Sequence, residues 1–419
     1  MRRRSSPSSD RSAVCLPPPG GKTNLEERPL RRKASGDMAD RFDVVVAGGG
    51  IVGLSIAFAL TREGLSVAVL DRRQPGREAS WAGAGMLPAQ SDPDRTPSHP
   101  TLALRAWSAR LYPEWSAVLR EETGIDNGYR RSGGVDVAMT ETDERDLRTT
   151  AGRWRVEGIA YERLAPADIA RVEPALTTDL RAAYFLPDRA QIRNPWHLRA
   201  LAEAFRLRGG IVLSHRGVEG FATQGDRVTG VRTADGEVHA ETVVVAAGAW
   251  SGDLLEGVGV SAPTPPVKGQ IVLVDCGRPV LRRIVEHGKR YLVPRDEGRV
   301  LIGATEEEAG FDVLPTADAF QSLLDVAASL CPALADARIE ATWAGLRPGS
   351  LDSRPYIGLA PGFRNLVVAT GHRRAGLQLS PATAELVADV VLGRPPRIDL
   401  GYFRVDRSPA PAGDDVFRS

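Results

Sequence analysis

An uncharged stretch at residues 44–60, VVVAGGGIVGLSIAFAL, joins a β-branched run to a helix-like run through three glycines. Three successive glycines would each cost a membrane-spanning helix about 1 kcal/mol relative to alanine. The pattern therefore predicts a buried strand, a tight turn and a helix from Ile51 to about Glu63, and no membrane insertion. Residues 66–70 come next as a second buried parallel strand.

Further along the chain, the spacing of apolar and charged positions is typical of amphipathic helices in three places. A short β-like run, GGVDVAM at 133–139, stands between the first two. The predicted helices cover residues 101–125, 141–171 and 197–208.

Alternating valines predict β-structure in the second half of the chain. Residues 217–246 are predicted as a meander that returns to a buried strand, and residues 267–305 as antiparallel strands. A final strand at 365–370 precedes a helix for which Ser380 is the predicted N-cap and Pro381 the first residue.

The glycine turn near the start has the spacing of a dinucleotide-binding motif. Gly48, Gly50 and Gly53 form GxGxxG between strand and helix, and Asp71 ends the next strand. The glycines allow close approach to a pyrophosphate at the helix N-terminus, and the carboxylate can accept hydrogen bonds from a ribose. The alternative is a turn that only packs helix on strand.

The length of the ligand is indicated by two further glycine-bearing turns, AAGAW at 246–250 and GHRRAG at 371–376, and by the small residues of ASWAGAGML at 79–87. Small residues permit close backbone approach by an extended ligand. Separated turns of this kind favour FAD over NAD, because the flavin needs contacts beyond the first βαβ unit.

The βαβ elements at the start, middle and end, with β-rich insertions between them, predict an α/β fold of two domains. One is a discontinuous Rossmann-like FAD-binding domain, and the other is a substrate domain with a mixed antiparallel sheet. The predicted boundaries are 41–120, 196–265 and 345–405 for the first domain, 121–195 and 266–344 for the second, and 1–40 and 406–419 for two tails.

The charge balance and the cysteine content limit the classes of binding partner that are expected. The 54 Lys and Arg residues against 53 Asp and Glu give a net charge of +1, which offers no reason to expect nucleic acid or an anionic membrane. Cys15, Cys276 and Cys331 lack CxxC spacing, so neither disulfides nor a metal site is expected and a cytoplasmic setting fits. The first 37 residues are predicted to be a disordered tail, and Met38 is an alternative start.

The sequence from about Arg41 to Val405 resembles the D-amino acid oxidase family of FAD enzymes, most closely its glycine oxidase branch of thiamine biosynthesis. The motifs that carry the resemblance are VVVAGGGIVG at 44–53, ASWAGAGML at 79–87, VVVAAGAWS at 243–251, VKGQ at 267–270, YLVP and GATEE around 291–307, WAGLRPGSLDSRPYIG at 343–358 and GHRRAGLQLSPATAEL at 371–386.

The resemblance implies roles for individual residues. Arg347 would pair with the substrate carboxylate, Tyr291 would add a hydroxyl donor, and Arg374 would lie beside substrate and flavin. The implied cofactor-binding residues are Gly48, Gly50, Ile51, Val52, Gly53, Asp71, Arg72, Ala79, Ser80, Ala84, Gly85, Met86, Val218, Gly248, His372, Arg373, Arg374, Ala375, Gly376, Leu377 and Gln378.

The implied reaction is oxidative deamination of glycine, with sarcosine and small D-amino acids as further substrates. The imine is released or hydrolysed to glyoxylate and ammonia, O2 is reduced to H2O2, and the imine serves the thiazole of thiamine. FAD is expected to be non-covalent because Cys276 and Cys331 lie outside the flavin motifs. No protein base need act on carbon, provided that the amine is neutral when it reacts, and no residue is assigned as an acid or base. A homo-oligomer, in the family a tetramer, is expected.

Several alternatives stay open at this point. The chain could be a D-amino acid dehydrogenase that reduces a quinone, a non-catalytic flavin or folate-binding module, or an NAD-linked dehydrogenase. Arg347 could be a structural arginine bound to Asp352 or to carbonyls of its own turn. Nothing local decides whether Arg373 or Arg374 faces the flavin.

Acidic and basic residues near the predicted pocket also leave the identity of the substrate open. Residues 306–308 are interpreted as a solvated loop, with Glu306 or a neighbour able to face the substrate amine. Glu286 and Lys289 stand where some glycine oxidases have aromatic or imidazole side chains.

Overall fold

The computed structural model describes residues 41–87, 89, 91 and 99–408. The predicted tail at 1–40, with Cys15 and Met38, lies outside them, as do residues 409–419. The described α-helices are α1 Ile51–Arg62, α2 Ala79–Ala82, α3 Pro100–Thr123, α4 Glu141–Glu157, α5 Pro166–Val172, α6 Asn194–Leu207, α7 Ser251–Glu256, α8 Ala317–Leu330 and α9 Gly376–Val391.

Short 3-10 helices lie at Gly248–Trp250, Asp296–Gly298, Pro332–Leu334, Arg373–Ala375 and Leu400–Phe403. The strands are β1 Arg41–Ala47, β2 Val67–Leu70, β3 Met86–Leu87, β4 Gly134–Ala138, β5 Glu162–Leu164, β6 Ala182–Leu186, β7 Ala190–Gln191, β8 Ile211–Leu213, β9 Gly220–Gln224, β10 Arg227–Thr233, β11 Gly236–Val245, β12 Pro266–Asp275, β13 Ile284–His287, β14 Arg290–Pro294, β15 Arg299–Gly303, β16 Arg338–Pro348, β17 Tyr356–Leu359 and β18 Leu366–Thr370.

The first sheet has eight strands, in the order β17-β18-β11-β1-β2-β8, with β10 and β9 paired beyond β11. Its centre is parallel: β1 pairs with β2 and β11, and β11 with β18. Val44 and Val46 of β1 pack into one apolar cluster, and Val45 packs into the cluster on the opposite face. Because both faces are buried, the strand is a continuous apolar run rather than an alternating one.

The second sheet also has eight strands, ordered β16-β12-β15-β14-β13-β4-β6-β5. Its pairs are antiparallel except β13 with β4. Leu323 and Ala327 of α8 pack on one face, in a cluster with Val272 and Ile302. The other face carries Ile271, Tyr291 and Trp343, which form a cluster with Ala82 and Ala84 of the small-residue segment at 79–87.

Two predicted helix boundaries are wrong. The helix predicted over 141–171 is interrupted: α4 ends at Gly158, where φ is 71°, and β5 and α5 come after it. Glycine adopts this left-handed conformation without a side-chain penalty, so it ends the helix.

The helix predicted to start at Pro381 begins at Gly376, and Pro381 lies inside it. A proline cannot donate the N–H that would bond Leu377 O. That carbonyl instead accepts bonds from the Tyr112 hydroxyl of α3 and from Ser380 Oγ at 3.0 Å. Ser108 Oγ of α3 donates to the next carbonyl, Gln378 O, at 2.7 Å. Contacts distant in sequence therefore replace the missing ladder bond.

In the described part of the chain, no helix combines the length and apolar character needed to cross a membrane. The uncharged stretch at 44–60 is β1, the glycine turn and the start of α1, as predicted.

Candidate active site

A cavity of about 720 Å³ lies between the two sheets. Ala47, Asp71, Ala246 and Thr370 line it from the carboxyl ends of β1, β2, β11 and β18. Ligands of open α/β sheets bind at this edge, where parallel strands end. The second sheet closes the opposite side.

The glycine turn is tightly packed. Gly48 has φ +110°, and a Cβ there would lie 2.5 Å from Ala246 O. A Cβ at Gly53 would lie 1.9 Å from Gly48 O. Gly53 is therefore required for helix-to-strand packing, and it does not line the cavity. Gly48 and Gly50 do line it.

The N-terminus of α1 faces the cavity without acidic residues in its first turn and without a side-chain cap on Gly50. Its first N–H groups have no intrahelical partner because of helix geometry, and they attract anions. Ile51 N donates to Ser80 Oγ at 2.8 Å, which places a hydroxyl beside them. This arrangement suits a diphosphate.

Asp71 fixes the turn as well as lining the cavity. Its Oδ2 accepts a bond from Gly49 N at 2.8 Å, and its Oδ1 accepts one from Arg73 N at 2.8 Å. Burial raises the pKa of Asp71, although these two N–H groups act in the opposite direction. Each carboxylate oxygen keeps a second lone pair for a ribose hydroxyl.

The small residues at 79–87 serve close packing between the sheets. Trp343 Nε1 donates to Ala82 O at 3.0 Å, and Asn194 Nδ2 donates to Ser80 O at 2.8 Å. A Cβ at Gly345 would lie 2.6 Å from the Ala82 Cβ. The segment thus presents its backbone to the cavity while β16 packs directly behind it.

Beyond Asp71, the Arg72 guanidinium lies 3.5 Å from the centre of the Trp250 ring and 2.9 Å from Glu78 Oε1. Arg72, Trp250 and Val218 line the cavity together. A flat guanidinium on an indole provides a stacking surface of the kind that nucleobases use.

Arg347 is held by the second sheet and directed into the cavity. Its Nη1 donates to Thr305 O at 3.2 Å and to Lys268 O at 3.4 Å. It makes no ion pair with a carboxylate of the described residues, and burial lowers its pKa. A Cβ at Gly269 would lie 2.2 Å from the guanidinium, so the glycine of VKGQ makes room for it.

Asp352 is not the partner of Arg347. Asp352 accepts bonds from Arg354 and from Arg407 at 2.6 and 2.8 Å. The structural alternative for Arg347 is thus wrong for Asp352, and its carbonyl partners belong to β12 and the 304–305 segment rather than to its own turn.

Tyr291 lies beside Arg347 at the same end of the cavity. The residue is 7% exposed, and its hydroxyl bonds to no other described group. Burial raises the pKa of Tyr291, while Arg347 and Arg374 act in the opposite direction. The phenol is therefore a neutral donor at physiological pH.

The two neighbouring arginines of GHRRAG differ. Arg373 donates to Glu306 Oε1 at 2.7 Å and to Ser353 Oγ at 2.5 Å. Arg374 lines the cavity without an ion pair to a described carboxylate. Both residues line the cavity, but only the Arg374 charge lacks a counter-ion there.

Glu306 is not the solvated loop residue that was expected. Its Oε2 accepts a bond from Lys289 at 2.9 Å, and its other oxygen is bound by Arg373. Burial opposes ionisation, yet Lys289 and Arg373 lower the pKa of Glu306 to about 2. Both oxygens are thus committed to cations.

His372 is a buried neutral ring. Its Nε2 lies 3.1 Å from Thr383 Oγ1, and burial lowers its pKa to about 3. The imidazole packs against α9 and is not placed as a base.

With the exception of Gly53, every predicted site residue lines this one cavity. Sequence reasoning missed the contribution of α4, and no signal in the chain places that helix over the cavity. The additional lining residues include Asp146, Thr149, Thr150 and Arg153 of α4, together with Gly217, Trp250, Gly269, Ile271 and Asn194.

The family described as FAD dependent oxidoreductase matches residues 43–390. Glycine oxidase of Pseudomonas aeruginosa is 40% identical over 372 residues, covering 88% of this chain and 98% of that protein. The chain belongs to the glycine oxidase branch of this family. The predicted fold class and FAD as cofactor are thereby confirmed.

Other relatives agree. The crystal structure of glycine oxidase from Geobacillus kaustophilus has a TM-score of 0.84 and 36% identity, with 88% of this chain and 100% of that chain covered. The bifunctional protein ThiO/ThiG of Trichormus variabilis is 34% identical over 87% of this chain and 55% of its own length. Family membership does not test the individual residue roles, which stay predictions.

The site fits the cofactor of this family. An uncapped helix N-terminus, a tight glycine turn, Asp71 and the exposed backbone of 79–87 form a continuous cradle along the cavity. Cys276 and Cys331 are free and do not line it. Non-covalent attachment stays a prediction.

Proposed function

We propose that this protein is an FAD-dependent oxidase of glycine, with sarcosine and small D-amino acids as further substrates. One observation carries the proposal. Arg347 is half-buried at the cavity wall with carbonyl oxygens as its partners, and the Tyr291 hydroxyl lies beside it without a bond to any described group. A partly desolvated guanidinium without a counter-ion favours an anionic ligand.

The substrate carboxylate would bind Arg347 through two parallel N–H bonds and accept a third from Tyr291. Hydrogen bonds to charged groups contribute roughly 1.5–3 kcal/mol each. The carboxylate would also restore the pKa of Arg347, which burial lowers. Two fixed oxygens leave the rest of a small amino acid little freedom to move.

Bound FAD would supply the oxidant that takes a hydride from the substrate Cα. The contribution of the protein is to hold that carbon in place, and positioning alone can remove much of a barrier. Burial of Ile271 and Tyr291 around the carboxylate-binding end limits water there. A dry site strengthens the Arg347 interaction.

The remaining parts of the proposal concern the electron acceptor, the fate of the imine and the setting of the protein. O2 would be the electron acceptor and H2O2 the product, and the imine would hydrolyse to glyoxylate and ammonia or serve the thiazole of thiamine. The fused ThiO/ThiG relative is the support for the thiamine role. We place the protein in the cytoplasm, as a homo-oligomer.

Anaerobic addition of glycine to the purified yellow holoenzyme tests the function. Glycine should bleach the flavin band, and air should restore it with release of peroxide. Bleaching without rapid recolouring would favour a dehydrogenase. Absence of bleaching by glycine, sarcosine and D-alanine would contradict the proposal.

A further inference from the structure

Glu286 is a carboxylate on the cavity wall with no part in the proposed binding of the substrate carboxylate. It lies directly opposite Tyr291 in the β13–β14 pair. Directly opposite side chains share one face of a sheet, with Cβ atoms about 4.5–5.5 Å apart. Both side chains line the cavity, so Glu286 borders the place where the substrate carboxylate is proposed to bind.

The carboxylate of Glu286 is buried but open toward the cavity. Glu286 is 8% exposed, and among the residues that the structure describes it accepts no hydrogen bond. Its one ion pair there is with Arg189 Nη1, 3.3 Å from Oε1. A buried carboxylate with free lone pairs requires a donor, which the cavity's ligand can provide.

Arg189 does not neutralise Glu286 by itself. Arg189 also binds Asp136, which lies next to Glu286 in the β4–β13 pair. Although burial opposes its charge, these two carboxylates raise the pKa of Arg189. One cation therefore serves two carboxylates.

Other acids are less suited to the substrate's amino group. Both oxygens of Glu306 are bound by Lys289 and Arg373. Asp71 accepts two backbone bonds at the dinucleotide end. Glu286 is the carboxylate that acts most strongly on Tyr291.

We infer that Glu286 receives the amino group of the substrate and accepts its extra proton. This rests on the proposed oxidation of glycine. A zwitterionic amino acid would bind with its carboxylate on Arg347 and its ammonium on Glu286. An N–H bond breaks, an O–H bond forms on Glu286, and the electron pair stays on nitrogen, which prepares the Cα for hydride loss.

The charges around Glu286 set its proton affinity. Burial raises the pKa of Glu286, and Asp136 adds to the effect. Three arginines lower the pKa of Glu286. They are Arg189 in the β6–β7 connection, Arg374 in the 373–375 segment and Arg105 in α3. The neutral phenol of Tyr291 lies opposite Glu286 in the sheet. The result is a carboxylate of higher proton affinity than one in water.

Binding to holoenzyme that has been reduced anaerobically with dithionite isolates amine recognition, because the reduced enzyme cannot oxidise glycine. Glycine and acetate differ by the amino group alone, and each is titrated by calorimetry. Glu286→Gln should weaken the binding of glycine by about tenfold or more and the binding of acetate by less than about twofold. This difference is expected for loss of a hydrogen bond to a charged group.

Asp136→Asn is the matched control, because Asp136 binds the same arginine without lining the cavity. It should change glycine and acetate binding by similar factors. If Glu286→Gln weakened the binding of glycine and of acetate equally, the inference would be overturned.

The wild-type enzyme supplies a test that needs no variant. The anaerobic rate of flavin reduction at low glycine should be nearly constant from neutral pH up to the amine pKa, since Glu286 deprotonates the bound zwitterion. A tenfold rise per pH unit in the wild type would show that only free amine reacts and would overturn the inference. Absence of reduction by glycine would instead overturn the proposed function.

Discussion

Arg347 and Arg354 lie in one stretch, WAGLRPGSLDSRPYIG at 343–358, and have opposite surroundings. Arg354 donates to Asp352 at 2.6 and 2.9 Å, and Arg407 binds the same carboxylate. Arg347 has carbonyl partners at 3.2 and 3.4 Å and no described carboxylate.

The difference separates a structural charge from one kept for a ligand. The Asp352 cluster is complete, and the Arg354 and Arg407 guanidiniums also stack on Tyr402 and Tyr356 at 4.2 and 4.4 Å. A buried charge satisfied within the protein stabilises its local structure, whereas a buried charge without its counter-ion is costly until an anion binds.

The largest expected effect is on the stability of the protein, when the Asp352 cluster loses its negative charge. Asp352→Asn leaves Arg354 and Arg407 buried without a full counter-charge, and loss of one partner of a buried ion pair costs about 3–5 kcal/mol. Urea unfolding measures this loss. Any protein that remains folded should bind glycine normally; an unchanged unfolding free energy would contradict the structural role.

Gly269→Ala disturbs the Arg347 site without removing a charge. The added Cβ would lie 2.2 Å from the Arg347 guanidinium, which must then move. We expect the glycine concentration for half-maximal flavin reduction to rise about tenfold, since a displaced guanidinium loses bidentate geometry. Gly259→Ala, in open space but at φ +74°, is the control for a substitution that alters stability alone.

Tyr112→Phe tests whether remote contacts fix the cavity wall. The hydroxyl bonds Leu377 O, the carbonyl that Pro381 leaves without a helix partner. Loss of one hydrogen bond of about 0.5–1.5 kcal/mol predicts a few-fold weaker FAD binding, measured by fluorescence titration. Tyr161→Phe, in an aromatic cluster with Trp154, should leave FAD affinity unchanged; equal effects in both variants would contradict the account.

Acid should weaken the Glu306 ion pairs only well below the ordinary pKa of a glutamate. Because the folded-state pKa of Glu306 is lowered to about 2 from 4.5, its contribution is present above pH 4.5 and is lost as the pH falls toward 2. We expect Glu306→Gln to reduce stability by at most about 1 kcal/mol at pH 7, with the difference from wild type vanishing between pH 4.5 and 2. A difference that persists at pH 2 in thermal unfolding would contradict this.

The sequence predicts the parts of the fold that depend on local chemistry. The β1–α1 turn, the parallel strands and the position of Asp71 can be inferred from glycine spacing and buried β-branched runs. The start of α9 could not be predicted, because Tyr112 and Ser108, far away in the chain, compensate for Pro381.

The partners of the charged residues could not be predicted from the neighbouring sequence either. Nothing in the stretch 343–358 indicates that Arg407 completes the Asp352 cluster, or that Gly269 makes room for Arg347. The contribution of α4 to the cavity likewise depends on tertiary packing.

The most direct test of the central claim is the glycine dependence of anaerobic flavin reduction in Arg347→Ala holoenzyme. The account predicts that half-maximal reduction requires at least about a hundredfold more glycine, while FAD stays bound and the unfolding free energy changes little. Arg299→Ala, which removes an arginine paired with Glu340 on the same sheet, is the control. Wild-type glycine dependence in Arg347→Ala would contradict the assignment of Arg347 as the carboxylate-binding residue.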